Sequence, residues 1–553
     1  MPETSTTRPI GRWMGALQLA SVLIAILVAC LYLAYGIDRS LWLDEANSVH
    51  IASGPPGRII DALSRDVSPP LYYFLLSGWM RSFGDSEIAL RLLSALFYLA
   101  GICLMWHLGR MLLGTEGAAS TSFLFAVNPI MGRHVQNVRM YTMVAMMVAL
   151  SMIVFVILTR DRERRTFGWF ALFGLTALVG LNTHYWFAFV LVGYGCWVIF
   201  TRHCWSAKEL CLLGAFTALP FFVLDLAMFL RQSNVPATLW TPHPTVGQLI
   251  HAMAAELGLV QLRSSSRIVS AIVLGAPIVW ALVMRRRDWQ PAMLRSALFP
   301  GSLYAVALGV PFLISMRRPI FYPGRYDIIA VPFFVLFAAC LLLALPAGPR
   351  VLFQLLLACV CGFQFFQLVR HSQTTNWLET PDPVPLGDRA AAQAICAQSA
   401  PGDFVVYTGL SRAAVSFYLE RFGCSGKVKQ VSYPAEFAQH LGWEDPRRNY
   451  SQEPALKREG ESVAADAYSS GARVFLLLHR EPRLSAGIVT PIEHLFRTAS
   501  SQRFESCEPC FGELRVYAPN SVNLKGDVPP DPRCTPPHHS AGYAGAVTRP
   551  AAR

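Results

Sequence analysis

Long apolar runs, separated by short polar stretches, dominate the first two thirds of the chain. They fall at about 13–36, 88–108, 117–132, 138–158, 168–182, 185–201, 209–230, 268–284, 296–315, 327–345 and 350–369. About 20 apolar residues wound as a helix cross some 30 Å of hydrocarbon, and only helices or closed barrels satisfy their backbone there. The pattern predicts about eleven membrane helices. The first run is too long and too poorly terminated for a cleaved signal peptide, so it reads as an anchor.

Beyond residue 370 the pattern changes. Asp403–Thr408, Val474–His479 and Leu514–Pro519 read as short strands, with helical patterns at Arg389–Gln398 and Arg412–Arg421. Strands alternating with helices predict a small α/β domain over 370–520. Residues 521–553, rich in Pro, Ala and Ser, read as a flexible tail. His538 and His539 in it read as solvated.

Composition agrees with a membrane protein. Of 553 residues, 53% are apolar and 15% charged, against about a quarter charged in soluble domains. So few charges cannot coat several soluble domains, and disordered, collagenous and small disulfide-scaffold classes are excluded too. The net charge of +12 reads as the basic excess of cytoplasmic loops rather than nucleic-acid binding. Arg162, Arg164, Arg165, Arg202, Lys208, Arg285, Arg286 and Arg287 all fall in even-numbered loops. That predicts a cytoplasmic N-terminus and an α/β domain outside, where disulfides are permitted. The CxxC pair Cys507 and Cys510 has no second pair nearby. It suits a disulfide or free thiols better than zinc. No Walker loop, dinucleotide motif or internal repeat occurs.

The first outside loop, 37–87, opens with Leu41-Trp42-Leu43-Asp44-Glu45-Ala46. This acidic pair at the membrane surface fits either a helix N-terminus favoured by its dipole or a working carboxylate. Trp42 fits an interfacial anchor or a sugar contact, and so does Tyr72. Ile59, Ile60 and Leu63 against Arg58, Asp61 and Arg65 predict an amphipathic helix on the bilayer. Pro69 and Pro70 end it, and 71–83 predicts a second interfacial helix, too short to span.

Two further outside loops carry basic residues against the usual bias. One holds Arg133 and Arg139, the other Arg317, Arg318 and Arg325. A lone arginine there snorkels. Two clusters together with an outside carboxylate pair point to an anionic, phosphate-bearing ligand. His184, at an outer helix end, reads as an interfacial hydrogen-bonder or a substrate contact. Asp225 is the one acid well inside a predicted span.

These stretches carry a resemblance. WLDEA after the first span, then SPPLYYFLL, NPIMGRHVQNVRMY, NTHYWF and RRPIFYPGRYDIIAVP, in that order over residues 13–345, resemble bacterial glycosyltransferase family 39. This family of the GT-C superfamily includes protein O-mannosyltransferases and is similar to lipid A aminoarabinose transferases. The resemblance implies a GT-C membrane fold and sugar transfer from a polyprenyl-phosphate donor at the outer face of the bacterial cytoplasmic membrane. The acceptor would be protein, lipid A, an envelope glycan or a glycolipid. It implies Asp44 as base with Glu45 beside it, and maps the family's arginines onto Arg139 and Arg325; the outside basic charge adds Arg317 and Arg318, and the four read as phosphate contacts. Tyr326, His184, Tyr72 and Arg133 follow as weaker substrate contacts. Relatives carry an acid two positions before the first of these arginines, where this chain has Asn137. A divalent metal needs more oxygen ligands than one acid pair supplies, so no cofactor is assigned. Two rival classes share the topology: a ligase or polymerase using polyprenyl-diphosphate donors, and a non-enzymatic lipid-sugar transporter. The latter predicts polar residues near mid-membrane, whereas here they gather at the outer surface.

Overall fold

The computed structural model describes residues 9–236, 241, 243–257, 275–276, 279, 296–371, 387–445, 447–448, 450, 453–478, 482–503 and 512–520. All but three residues of the predicted span 268–284, with Arg285 to Arg287, the CxxC pair and the C-terminal tail with its histidines, fall outside these residues.

The helices follow the apolar runs. Among the described residues, six are long and apolar enough to cross a membrane: Glu87–Val127, Tyr141–Arg160, Ala207–Gln232, Leu298–Ser315, Tyr326–Ala344 and Ala347–Phe366. Leu19–Ala34, Phe167–Thr183 and Phe187–Phe200 are shorter apolar helices. In chain order, α1 is Pro9–Ala34, α2 Leu43–Ala52, α3 Pro56–Ser64, α4 Leu71–Phe83 and α5 Glu87–Val127. Then come α6 Pro129–His134, α7 Tyr141–Arg160, α8 Phe167–Thr183 and α9 Phe187–Phe200.

α5 is a helical hairpin rather than one rod. Gly114 turns the chain with φ +77°, a value glycine adopts without steric cost. The two arms then pack face to face. Thr121 Oγ1 donates to the Met105 carbonyl at 2.9 Å, and Tyr98 stacks on Phe125 at 6.2 Å. A Cβ on Gly109 would meet Thr121 Oγ1 at 2.1 Å, so glycine there permits the close approach. The arms are the predicted spans 88–108 and 117–132.

α7 is the central helix, buried on nearly every side and packed against α5 and α8. At the other extreme, Ala207–Gln232 exposes Leu219, Phe222, Val223 and Leu224. An all-apolar helix with such a face belongs against lipid.

Between α1 and α5 the first loop folds as α2, α3 and α4. In α3, Ile59 and Leu63 are buried while Ile60 is exposed, so the amphipathic stripe packs inward. Gln232 Nε2 ties this loop to the bundle, donating to the carbonyls of Leu63 at 2.7 Å and Ser68 at 2.9 Å.

The C-terminal region forms a five-stranded sheet in the order β2-β1-β3-β5-β4. The strands are β1 Phe404–Thr408, β2 Lys429–Tyr433, β3 Val474–Leu478, β4 Phe496–Arg503 and β5 Glu513–Pro519. β1 pairs parallel with β2 and β3, and β5 lies antiparallel between β3 and β4. The buried strands β1, β3 and β5 are the ones the apolar pattern predicts. β2 and β4 are edge strands, and their polar sequences KQVSY and FRTASSQR hide them from such a reading. The disulfide Cys396–Cys424 joins helix Gly387–Gln398 to the turn that follows helix Arg412–Arg421.

This domain sits on the first loop. One apolar cluster runs from Leu41, Trp42 and Val49 through Tyr72 and Leu90 into the domain's Val406, Tyr418 and Leu476. Polar contacts fix the join. Leu41 N donates to Tyr418 Oη at 2.8 Å, and Tyr418 Oη donates to Glu87 at 3.1 Å. Arg389 and Arg421 both pair with Glu87, and Trp443 Nε1 donates to the Arg65 carbonyl at 2.9 Å.

Candidate active site at the first loop

Asp44 and Glu45 occupy the first turn of α2, where carboxylates suit the helix dipole. Neighbours in sequence, they face different partners. Glu45 is fully buried and grips Arg91, also fully buried, through Nη2–Oε2 at 2.6 Å and Nε–Oε1 at 3.1 Å. It also accepts from Val138 N at 3.1 Å and Trp42 N at 3.4 Å. Arg91 in turn donates to the carbonyls of Ile37, Arg39 and Ser40. This knot holds three things in register: the start of α2, the turn segment leading to it, and the loop before α7. It leaves Glu45 committed to structure.

Asp44 turns the other way and forms an ion pair with Arg325. Arg325 Nε donates to Tyr141 Oη at 2.7 Å. Its guanidinium is ringed by Trp42 at 5.8 Å, Tyr141 at 6.0 Å and Tyr326 at 5.6 Å, distances at which a cation is attracted to ring faces. Arg139 also lies near Tyr141, 6.0 Å from its ring. Arg139 Nη1 donates to Ser48 Oγ at 3.3 Å and Tyr73 Oη at 3.2 Å. Ser48 Oγ donates to the Asp44 carbonyl at 2.7 Å, so Arg139 meets α2 one turn beyond the acid. Two guanidiniums thus lie beside Tyr141, with one carboxylate between α2 and the Arg325 loop.

That loop is held from both sides. Gly324 has φ +77°; its N–H donates to Asp327 Oδ2 at 2.9 Å and its carbonyl faces His134 Nε2 at 3.0 Å. Arg133 reaches the same glycine, its Nη1 2.6 Å from where a Cβ would sit.

His184 caps α8 and accepts from Trp186 N through Nδ1 at 3.1 Å; its ring lies 5.6 Å from Tyr326. Burial, with Arg139 and Arg325 adding, lowers it to about 3. It meets the site as a neutral imidazole rather than a cation. Tyr72 is buried edge-on beside Tyr73, and it is Tyr73 that reaches Arg139. Arg317 and Arg318 are exposed, and Arg318 donates to the Ser233 carbonyl at 2.6 Å. Neither contacts Asp44, Arg139 or Arg325 among the described residues. Asn137 is buried with both side-chain polar atoms unpartnered. No group of three or more metal-binding side chains occurs among the described residues. Asp225, in a π-helical turn inside the helix Ala207–Gln232, accepts from Asn182 at 2.8 Å.

Sequence reasoning passed over Arg91, Tyr141, Tyr73 and Ser48. Arg91 had a signal: an arginine inside the apolar run Ala89–Phe97 must find a buried acid. Tyr141, two positions beyond Arg139, had none.

Residues 67–226 match the family model of dolichyl-phosphate-mannose-protein mannosyltransferases. No curated protein sequence matches. Among solved structures, ArnT from Cupriavidus metallidurans bound to undecaprenyl phosphate superposes with a TM-score of 0.55. It is 14% identical, and the match covers 90% of this chain and 98% of that one. The oligosaccharyltransferase of Archaeoglobus fulgidus, tethered to an acceptor peptide, gives a TM-score of 0.41 at 12% identity, covering 93% and 75%. The chain has the fold of the GT-C membrane glycosyltransferases, and the family resemblance carried by its motifs is met by the mannosyltransferase model over residues 67–226.

Proposed function

We propose that the chain transfers a sugar from a polyprenyl-phosphate donor to an envelope acceptor at the outer face of a bacterial cytoplasmic membrane. The observation that carries this is the carboxylate Asp44 set against Arg325, with Arg139 beside the same Tyr141 ring. That is a base beside two phosphate-binding groups. The undecaprenyl phosphate bound to the similar ArnT supports the donor class.

The donor phosphate takes Arg325 from Asp44, which frees the carboxylate. An acceptor hydroxyl or amine then attacks the anomeric carbon. The bond from that carbon to the phosphate oxygen breaks, and its electron pair leaves on the phosphate. The acceptor's proton passes to Asp44. Single displacement inverts the anomeric centre. A positioned base contributes roughly 10²–10⁴-fold, and the guanidiniums stabilise charge growing on the departing phosphate. Glu45 positions α2 rather than reacting.

Orientation follows the alternation of helix ends. Asp44, Arg139, His184 and Arg325 lie at one end of the bundle. Arg162, Arg164, Arg165 and Arg202 lie at the other, which the positive-inside bias places in the cytoplasm. The Cys396–Cys424 disulfide suits an α/β domain outside.

The test is donor turnover. Purified protein in lipid is given a panel of polyprenyl-monophosphate sugars and an envelope extract, and free polyprenyl phosphate is measured. Release by wild type and not by Asp44→Asn supports the reading. Release only from diphosphate donors overturns it in favour of a ligase.

A further inference from the structure

The end of the bundle away from Asp44 carries a second feature. A cavity of about 360 Å³ lies where α7, α9, Leu298–Ser315 and Tyr326–Ala344 meet the turn of the α5 hairpin. Its inner wall is apolar, with Val156, Phe299 and Leu336. Its polar rim is where the exposed Arg160 lines it, beside Thr159. Volumes from about 300 Å³ upward are those of ligand sites.

Arg160 sets the chemistry. It is exposed, and its one hydrogen bond goes to the Met111 carbonyl at 3.0 Å. Among the described residues it pairs with no acid. The acids around it are otherwise engaged: Asp161 holds Arg164 at 2.9 Å, Glu209 holds Arg165 at 3.4 Å and Glu116 holds Arg350 at 2.9 Å. Among the described residues Glu163 and Glu116 are exposed, the latter paired with Arg350, against exposed Arg110, Arg162 and Arg202. Among the described residues the mouth therefore carries an excess of positive charge over an apolar recess.

Position separates this cavity from the sugar-transfer site. Tyr141 begins α7 beside Arg325, and Arg160 ends it 20 residues on. At 1.5 Å per residue that is about 30 Å, the full hydrocarbon thickness. Around the mouth Ile199, Phe200 and Leu298 are each more than 70% exposed, a surface suited to acyl chains. Trp197 and Trp205 sit at the same level, as aromatic side chains do at a membrane interface.

We propose that this cavity binds an anionic phospholipid of the leaflet opposite the sugar-transfer site, its phosphate on Arg160 and an acyl chain in the recess. A soluble anion would leave the apolar wall uncovered. A neutral lipid would leave Arg160 unmatched. Basic pockets between membrane helices recognise anionic head groups in this way.

The experiment uses the full-length protein in nanodiscs of equal phosphatidylglycerol and phosphatidylcholine, with retained lipid counted by native mass spectrometry. Wild type is expected to retain phosphatidylglycerol over phosphatidylcholine by about fivefold, the discrimination one basic contact supplies. Arg160→Gln removes the preference. Thr159→Trp, which plugs the mouth, lowers retention of both lipids. Arg162→Gln, on the same surface but not lining the cavity, leaves the preference intact. Equal retention of the two lipids by wild type overturns the proposal, as does an Arg160→Gln protein with unchanged preference. Arg160 is a surface residue, so that variant tests binding even if Thr159→Trp fails to fold.

Discussion

Asp44 and Arg325 are 281 residues apart in the chain and form an ion pair at one end of the bundle. The pair joins the first turn of α2 to the loop before Tyr326–Ala344. It therefore closes the site across most of the membrane domain. In the proposed reaction Asp44 is idle until something takes that cation away, and a donor phosphate is suited to do so.

Arg325→Lys keeps the charge but loses the planar fork that reaches Asp44 and Tyr141 together. Turnover should fall about 10²–10³-fold, the range for removing one transition-state donor. The KM for the polyprenyl-phosphate sugar should rise. Steady-state kinetics across donor concentrations read both. A lysine variant with wild-type kcat and KM would remove Arg325 from phosphate recognition.

Glu45→Gln should act on stability before chemistry. It leaves the Arg91 guanidinium buried with its acid gone, a change that costs about 3–5 kcal/mol. Pairing it with Arg91→Met should recover part of that loss, because an apolar side chain needs no partner. Thermal unfolding of the three variants in one detergent checks this. A catalytic Glu45 would instead give a stable, inactive single variant.

These two acids show how far a sequence reaches. Their position after the first span, and the order of the arginine-bearing loops behind them, were legible, and so was the fold class. What the sequence does not hold is direction. Asp44 and Glu45 are adjacent, and only the helix phase decides that one faces Arg325 and the other Arg91. Charge likewise does not separate Arg325, turned into the site, from Arg317 and Arg318, turned to solvent. Edge strands β2 and β4 stayed hidden because half-exposed strands need no apolar run.

Gly324→Ala tests the loop rather than the arginine. Its φ of +77° costs an L-residue roughly 1–2 kcal/mol, and the new Cβ would crowd Arg133 Nη1 at 2.6 Å. The expected result is a folded protein whose transfer rate falls at least about tenfold, the factor that 1.4 kcal/mol of misplacement implies. Activity at wild-type level would show that the loop tolerates the shift.

Tyr418→Phe tests the hold of the α/β domain on α2. The Leu41 N–H loses its acceptor, three residues before the acid, and a buried unsatisfied donor costs about 1–3 kcal/mol. Transfer should fall, and limited proteolysis should cut the first loop faster. The Arg389 and Arg421 pairs with Glu87 remain, so the domain stays docked. Unchanged rate and unchanged cleavage would assign the domain to covering the site rather than setting it.

Asp388 gives the domain a pH dependence of its own. It lies buried in the first turn of Gly387–Gln398 with Oδ2 unpartnered, and burial raises it to about 7. The folded state therefore holds a proton that the unfolded carboxyl, near 3.9, releases earlier. Stability is greatest below the unfolded value, falls as pH rises toward 7 and is flat above it, with a total change of at most about 4 kcal/mol. Asp388→Asn should flatten that slope and raise the melting temperature at pH 8 more than at pH 5. Melting curves of wild type and variant across that interval decide it. Parallel pH profiles would mean that Asp388 is ionised in the fold.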